Sequence, residues 1–294
     1  MFSGGKRFRP LVMVLCAKLC GYEGAFDKTL STIFEYLHTA SLMHDDLIDE
    51  ATLRRGKPVA QVVWNNATAI LFGDFLLART LSIALKSDYP QILEVIAEIT
   101  EAMTQGEIYQ LVNKGKINLT EQEYMTTIEK KTAILIKGAC HTGAMIANAP
   151  KEKSDALTSY GYHLVMAFQM ADDLLDYLSE TDSLGKKIGV DLKEGKLTLP
   201  VIYSLEKARQ TTSNNDDKTM EAIIQNPDFS PEDFNTFKSF LQKYGGIAYT
   251  EKLAKNHIKN AKEALSIFED SKEKSLLLDL ADYTVDFFLL NPQK

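Results

Sequence analysis

Two stretches of the sequence carry carboxylates where an apolar helix is expected. LMHDDLIDE (42–50) sets Asp45, Asp46 and Asp49 at i, i+1 and i+4, and FQMADDLLDY (168–177) repeats the spacing with Asp172, Asp173 and Asp176. On a helix the outer two of each set share a face, with the middle one about 100° round. Ionised carboxylates this close repel in a poorly hydrated place, so each set calls for a cation. All-oxygen donors favour a hard ion, Mg²⁺ above all, completed by water and a substrate phosphate. An EF-hand is excluded, because its loop needs alternating oxygens around a central glycine. A single such run is often just a solvated helix face. Two of them, the second flanked by Val165, Met166, Phe168, Leu174 and Leu175, fit that explanation poorly.

Magnesium on carboxylates implies a polyanion to finish its shell, and basic segments border both acidic sets. GGKRFRP (4–10) brings Lys6, Arg7 and Arg9, and RRGKP begins at Arg54 and Arg55. Farther on come Lys130, Lys131 and Thr132, then Lys186, Lys187 and Lys196 in a glycine-rich link after the second set. Arginine forks suit phosphate oxygens bidentately, whereas lysine is a mobile point charge. Any one of these is most simply a surface charge. Together they predict two diphosphate sites, one bridged by metal and one gripped by cations alone.

The elements that must carry these groups are helical. Apolar residues recur near a 3.6-residue period over 29–50, 66–86, 91–113, 121–148, 154–180, 196–208, 232–243, 247–268 and 272–290. Breaks fall at RRGKP, at SDYP (87–90), at NAP (148–150) and at LGKKIGVDLKEGK (184–196), and QTTSNNDDK (210–218) reads as a surface loop. No convincing alternation of strands appears. The expectation is an all-α chain forming one domain over 1–294.

At 294 residues the chain can bury a core without disulfide or structural metal. Three cysteines, Cys16, Cys20 and Cys140, make no ligand pattern, and an odd count points to a reducing, cytoplasmic setting. No uninterrupted apolar run reaches the roughly 20 residues of a membrane span. A net charge of −7 disfavours nucleic acid as a partner.

GGKRFRP, HDDLID with RRGKP, GDFLLA (73–78), KTA (131–133), and FQMADDLLDY with LGKKIGVDLKEGKLTLP resemble the trans-isoprenyl diphosphate synthases, the polyprenyl synthetases. The similarity runs from Gly4 to about residue 204. It implies the isoprenoid-synthase fold, a large helical bundle around a central substrate cavity. It also implies a prenyltransferase that condenses isopentenyl diphosphate with an allylic diphosphate by ionisation, condensation and elimination, working as a homodimer with three Mg²⁺ ions per active site. By the same resemblance, Asp45, Asp49 and Asp172 would ligate metal, with Asp46, Asp173 and Asp176 in support. Arg54, Lys131, Thr132, Gln169 and Lys186 would hold the allylic diphosphate or its developing cation. Lys6, Arg9, His38 and Arg55 would bind isopentenyl diphosphate.

On the first aspartate helix, Ser41 lies one turn before Asp45 with Ala40 beside it, where short-chain relatives place aromatic side chains that close the product tunnel. Small residues here predict an open tunnel and an all-trans product longer than C20, roughly hexaprenyl to octaprenyl, with each turn adding about 5.4 Å of depth. Leu37 and Phe34 come next on this face, and the floor is expected near Ile96 to Met103. Small residues also let helices pack closely, which is the competing explanation. Relatives commonly carry a helix before the Gly-Gly-Lys segment, where only Met1, Phe2 and Ser3 precede it here. A class I terpene cyclase would have no use for GGKRFRP and RRGKP. A silent partner subunit would have no reason to keep both aspartate sets.

Overall fold

A computed structural model describes residues 7–54, 56–178, 189–211 and 215–285. In chain order it contains α1 (Phe8–Leu19), α2 (Phe26–Ile48), the strands β1 (Leu53–Arg54) and β2 (Lys57–Pro58), α3 (Ala60–Val63), α4 (Asn66–Ala84), α5 (Gln91–Asn113) and α6 (Glu121–Ile128). A π-helical turn, Glu129–Ala133, leads directly into α7 (Ile134–Ile146), followed by α8 (Lys151–Leu178), α9 (Val190–Lys193), α10 (Leu199–Arg209) and α11 (Asp216–Ile224). Then come α12 (Pro231–Lys243), α13 (Gly246–Ala264) and α14 (Lys272–Val285). The all-α expectation holds, since the two-residue antiparallel hairpin at RRGKP is the only sheet among the described residues. Two expectations need correction. The helix expected over 121–148 is split by the π-helical turn, and the loop expected over 210–218 gives way to α11 at Asp216.

The fold divides into two compact units. The first takes the described residues up to Ala102, with Ile134–Tyr162 and Ala264–Leu278. The second takes Met103–Ala133, the described residues between His163 and Glu263, and those from Asp279 on.

In the first unit, α2 buries Leu30, Ile33, Phe34, Leu37, Ala40 and Met43, three or four residues apart along one face. That face packs on α4, where Ala40, Met43 and Leu76 share a cluster edged by Tyr36, Ala60, Phe72 and Leu77. The side chain of Asn65 caps α4 by accepting from the Thr68 N–H at 2.8 Å. Helix α1 lies against α7 and α2. Its approach to α7 is so close that a Cβ on Gly143 would meet the Met13 carbonyl oxygen at 2.6 Å and the Ala17 nitrogen at 3.0 Å.

In the second unit, α6 opens with a capping box. Thr120 accepts from the Glu123 N–H at 3.2 Å, and the Glu123 carboxylate accepts from the Thr120 N–H at 2.8 Å. Hydrogen bonds from Lys116 and Thr120 pull that carboxyl down to about 2. Ser230 and Asp233 build the same box for α12, with Pro231 at its first turn. Helix α10 packs on α6, α11 and α12.

Helix α4 is the one described helix long and apolar enough to cross a membrane, and a third (33%) of its most apolar window is buried. Its uncovered side shows Ile70, Leu71, Phe75 and Leu81, with Leu85 exposed at its C-cap.

The close approach of α1 and α7 gives the first prediction. Gly143→Ala should force the two backbones apart and cost about 1–3 kcal/mol, read as a lower urea midpoint with unchanged slope.

Candidate active site at two acidic helix ends

Both aspartate sets close a helix. Asp45 and Asp46 stand in the last turn of α2 with Asp49 as its C-cap, and Asp172, Asp173 and Asp176 fill the last two turns of α8. Neither helix has a basic residue in its last turn. The C-terminus of a helix already carries about half a negative charge. Each set therefore adds carboxylates where the backbone repels them, and the compensating charge must come from outside the helix.

For the first set, part of it comes from the hairpin. Asp46 is buried, and its carboxylate accepts from Arg54 Nε at 2.9 and 3.1 Å and lies 2.7 Å from Nη2. The Gln61 amide donates to the carbonyls of Asp46 and Ala51, both at 2.8 Å, and so ties the end of α2 to the chain that leaves it. Asp45 is half-buried and Asp49 exposed. With His38, Ser41 and Leu42, all three half-buried, they form a stripe of three- and four-residue steps along one side of α2. The Ser41 hydroxyl donates to the His38 carbonyl at 3.0 Å. Ala40, by contrast, is fully buried against α4, so its small side chain has a packing role. Phe34, Leu37, Ile96 and Ile99 are buried as well.

The second set repeats the pattern. Asp173 is 3% exposed and accepts from the Tyr124 hydroxyl at 2.6 Å and from the Gln169 amide at 2.9 Å. Burial pushes its carboxyl up to about 7, against the pull of those two hydrogen bonds. Burial likewise drives the Tyr124 hydroxyl and the Asp191 carboxyl well above their ordinary values. Asp176 accepts from the N–H groups of Val190 and Asp191, both at 3.1 Å, and thereby anchors the start of α9. Asp172 is half-buried.

The middle aspartate of each set is thus buried and held by side chains of its own unit, while Asp45, Asp49 and Asp172 stand nearer solvent. Among the described residues no three acidic, imidazole or thiol groups form a ready-made metal cage. The carboxylate oxygens at each helix end are hard donors of the kind Mg²⁺ takes, one or two at a time, with water and phosphate for its remaining ligands.

Lys131 and Thr132 lie on the π-helical turn, both half-buried. The Lys131 ammonium donates to Gln110 at 2.5 Å and pairs with Glu107 at 2.6 Å. Lys196 pairs with Glu194 at 2.7 Å. Arg9 in α1 and His38 in α2 are half-buried in the same unit. Lys6, Arg55 and Lys186 lie outside the described residues. Tyr124, Gln61, Glu107 and Gln110 had no place in the sequence reading. Tyr124 belongs to no motif and meets Asp173 across 49 positions of chain. Glu107 and Gln110 did leave a signal, since three residues apart on a helix they share a face.

The polyprenyl synthetase family model matches residues 1–239. The chain is 36% identical to the octaprenyl diphosphate synthase of Haemophilus influenzae over 284 residues, which is 97% of this chain and 85% of that protein. Among solved structures, a decaprenyl diphosphate synthase from Rhodobacter capsulatus superposes with a TM-score of 0.90 at 34% identity, covering 97% of this chain and 86% of its own. A polyprenyl synthase from Caulobacter crescentus, complexed with calcium and isoprenyl diphosphate, gives a TM-score of 0.87 at 36% identity, covering 96% and 85%.

The Tyr124–Asp173 bond carries a pH signature. Tyr124→Phe removes a donor from a buried carboxylate, which raises the folded-state pKa of Asp173 further and penalises its ionised form. Asp173 already takes up protons on folding, so its favourable contribution is complete below about pH 4 and is lost as pH rises through about 7. The substitution should cost about 1–3 kcal/mol at pH 8 and distinctly less at pH 5, measured by urea unfolding at both values.

Proposed function

Since the chain belongs to the polyprenyl synthetase family and is a trans-prenyl diphosphate synthase, a transferase, we propose that it extends an allylic diphosphate with isopentenyl units to an all-trans product longer than C20. The observation that carries the site assignment is the pair of acidic helix ends, each with its carboxylates gathered where the helix's own last turn holds no basic residue. Asp45, Asp49 and Asp172 would hold Mg²⁺, three ions per active site, with Asp46, Asp173 and Asp176 fixing the helix ends around them. When bound, the metal neutralises the diphosphate and so makes it a better leaving group.

The chain's own residues do the rest. Lys131 and Lys186 bring ammonium charge to the allylic diphosphate. Arg54, whose guanidinium has five N–H donors, serves it while holding Asp46. As the allylic C–O bond breaks, the Thr132 hydroxyl and the Gln169 amide oxygen turn their dipoles to the allylic cation. The Gln169 amide is fixed for this because its nitrogen donates to Asp173. Lys6, Arg9, His38 and Arg55 seat isopentenyl diphosphate, whose double bond attacks the cation before a proton passes to the released diphosphate. No nucleophilic side chain is needed.

For product length, Ser41 is the residue of interest, since it lies on that stripe of α2 one turn before Asp45. A homodimer is the assembly we favour, joined through α4, because Leu71 and Phe75 on that helix and Leu85 at its C-cap are 66%, 59% and 69% exposed. Three free thiols suit a cytoplasmic setting.

The test is incubation with radiolabelled isopentenyl diphosphate, Mg²⁺, and dimethylallyl, geranyl, farnesyl or geranylgeranyl diphosphate in turn, followed by product sizing. Incorporation with at least one primer is expected, and none with any of them would overturn the reading. Asp45→Ala should lower kcat by at least about a hundredfold; full activity would sink the metal assignment. Ser41→Phe should shorten the product, and chromatography showing the same length would remove Ser41 from that role.

A further inference from the structure

We infer that Glu107 and Gln110 are positioning residues for Lys131, and that Gly106 is what allows them to reach it. This rests on the proposed role of Lys131 at the allylic diphosphate. A lysine ammonium rides on a flexible four-carbon stem, so charge alone does not aim it. Here two acceptors do. Glu107 and Gln110, three residues apart on α5, take two of its three N–H donors at 2.6 and 2.5 Å, which leaves a third to offer a phosphate oxygen. The neighbouring ammonium is drawn elsewhere: Lys130 donates to Gln105 at 2.5 Å and lies 5.6 Å from the centroid of the Tyr109 ring.

The backbone makes this possible at one point. A Cβ on Gly106 would stand 2.4 Å from the Lys131 nitrogen, 2.7 Å from its Cα and 2.9 Å from its Cβ. No other residue lets the π-helical turn lie directly on α5. The turn itself contains Lys130, Lys131 and Thr132, and its two adjacent lysines go to separate acceptors. Glycine, carboxylate and amide occupy one short segment, QGEIYQ (105–110), and serve one side chain.

Steady-state kinetics with each substrate varied in turn, on wild type, Lys131→Ala, Glu107→Ala, Glu107→Gln and Gly106→Ala, tests the inference. Glu107→Ala should raise KM for the allylic diphosphate about tenfold and leave KM for isopentenyl diphosphate unmoved. Glu107→Gln keeps an oxygen acceptor without the charge and should recover most of that loss, to about threefold. Gly106→Ala displaces the turn and should lower kcat about a hundredfold while circular dichroism still shows the helical content of wild type. Two results would overturn the positioning role: a Glu107→Ala enzyme with wild-type KM for the allylic substrate, or one whose two KM values rise together. If Lys131→Ala loses allylic affinity in the same series, the substrate reading survives that failure. If wild type forms no product, both fall.

Discussion

The C-terminal end of a helix repels a carboxylate, and this chain puts three at the end of α2 and three at the end of α8. Everything around them answers that excess. The hairpin after α2 exists in two-residue strands, too short to be stable by itself, yet it delivers Arg54 to Asp46. Gln61 fastens the departing chain to the α2 terminus. After α8, the amides of Val190 and Asp191 turn back on Asp176. Each unit answers its own acidic end with groups of its own.

The division of labour inside each set follows from solvation. A carboxylate that is to bind a metal and release a product must exchange its partners, so it cannot be sealed in. One that holds a helix end in place can be, provided that it is fully hydrogen-bonded. Asp46 and Asp173 are of the second kind, at 7% and 3% exposure. Around Asp173 the seal continues through Tyr177, also fully buried, whose hydroxyl meets Thr198 at 3.2 Å. The buried member of each set fixes the helix end that carries the more exposed ones.

The helices that carry the site were legible in the sequence because they are amphipathic and punctuated. The apolar period of α2, α4, α5 and α8 survives folding almost unchanged, and the aspartate spacing places Asp45 and Asp49 on one face as expected. Helix α1 was not found by period, since VMVLCA is apolar all round and Pro10 lies in its first turn. Helix α11 begins inside a polar stretch that resembles a loop. The π-helical turn leaves no periodic mark, and Tyr124 reaches Asp173 by tertiary packing alone. Ala40 shows the other limit: sequence offered packing and product length as rival reasons for a small residue, and the α2–α4 contact supplies the first.

The π-helical turn also bears on how chains of this kind can diverge. An extra residue within a helix is equivalent to a one-residue insertion that the flanking segments have absorbed without breaking. Its deletion would restore an ordinary α-helix and change the positions from which Lys130 and Lys131 reach Gln105, Glu107 and Gln110. Alignments of related sequences should therefore tolerate gaps in the loops on either side, and none between Glu129 and Ala133. The bulge behaves as a fixed coordinate of the chain, against which lengths elsewhere are free to vary.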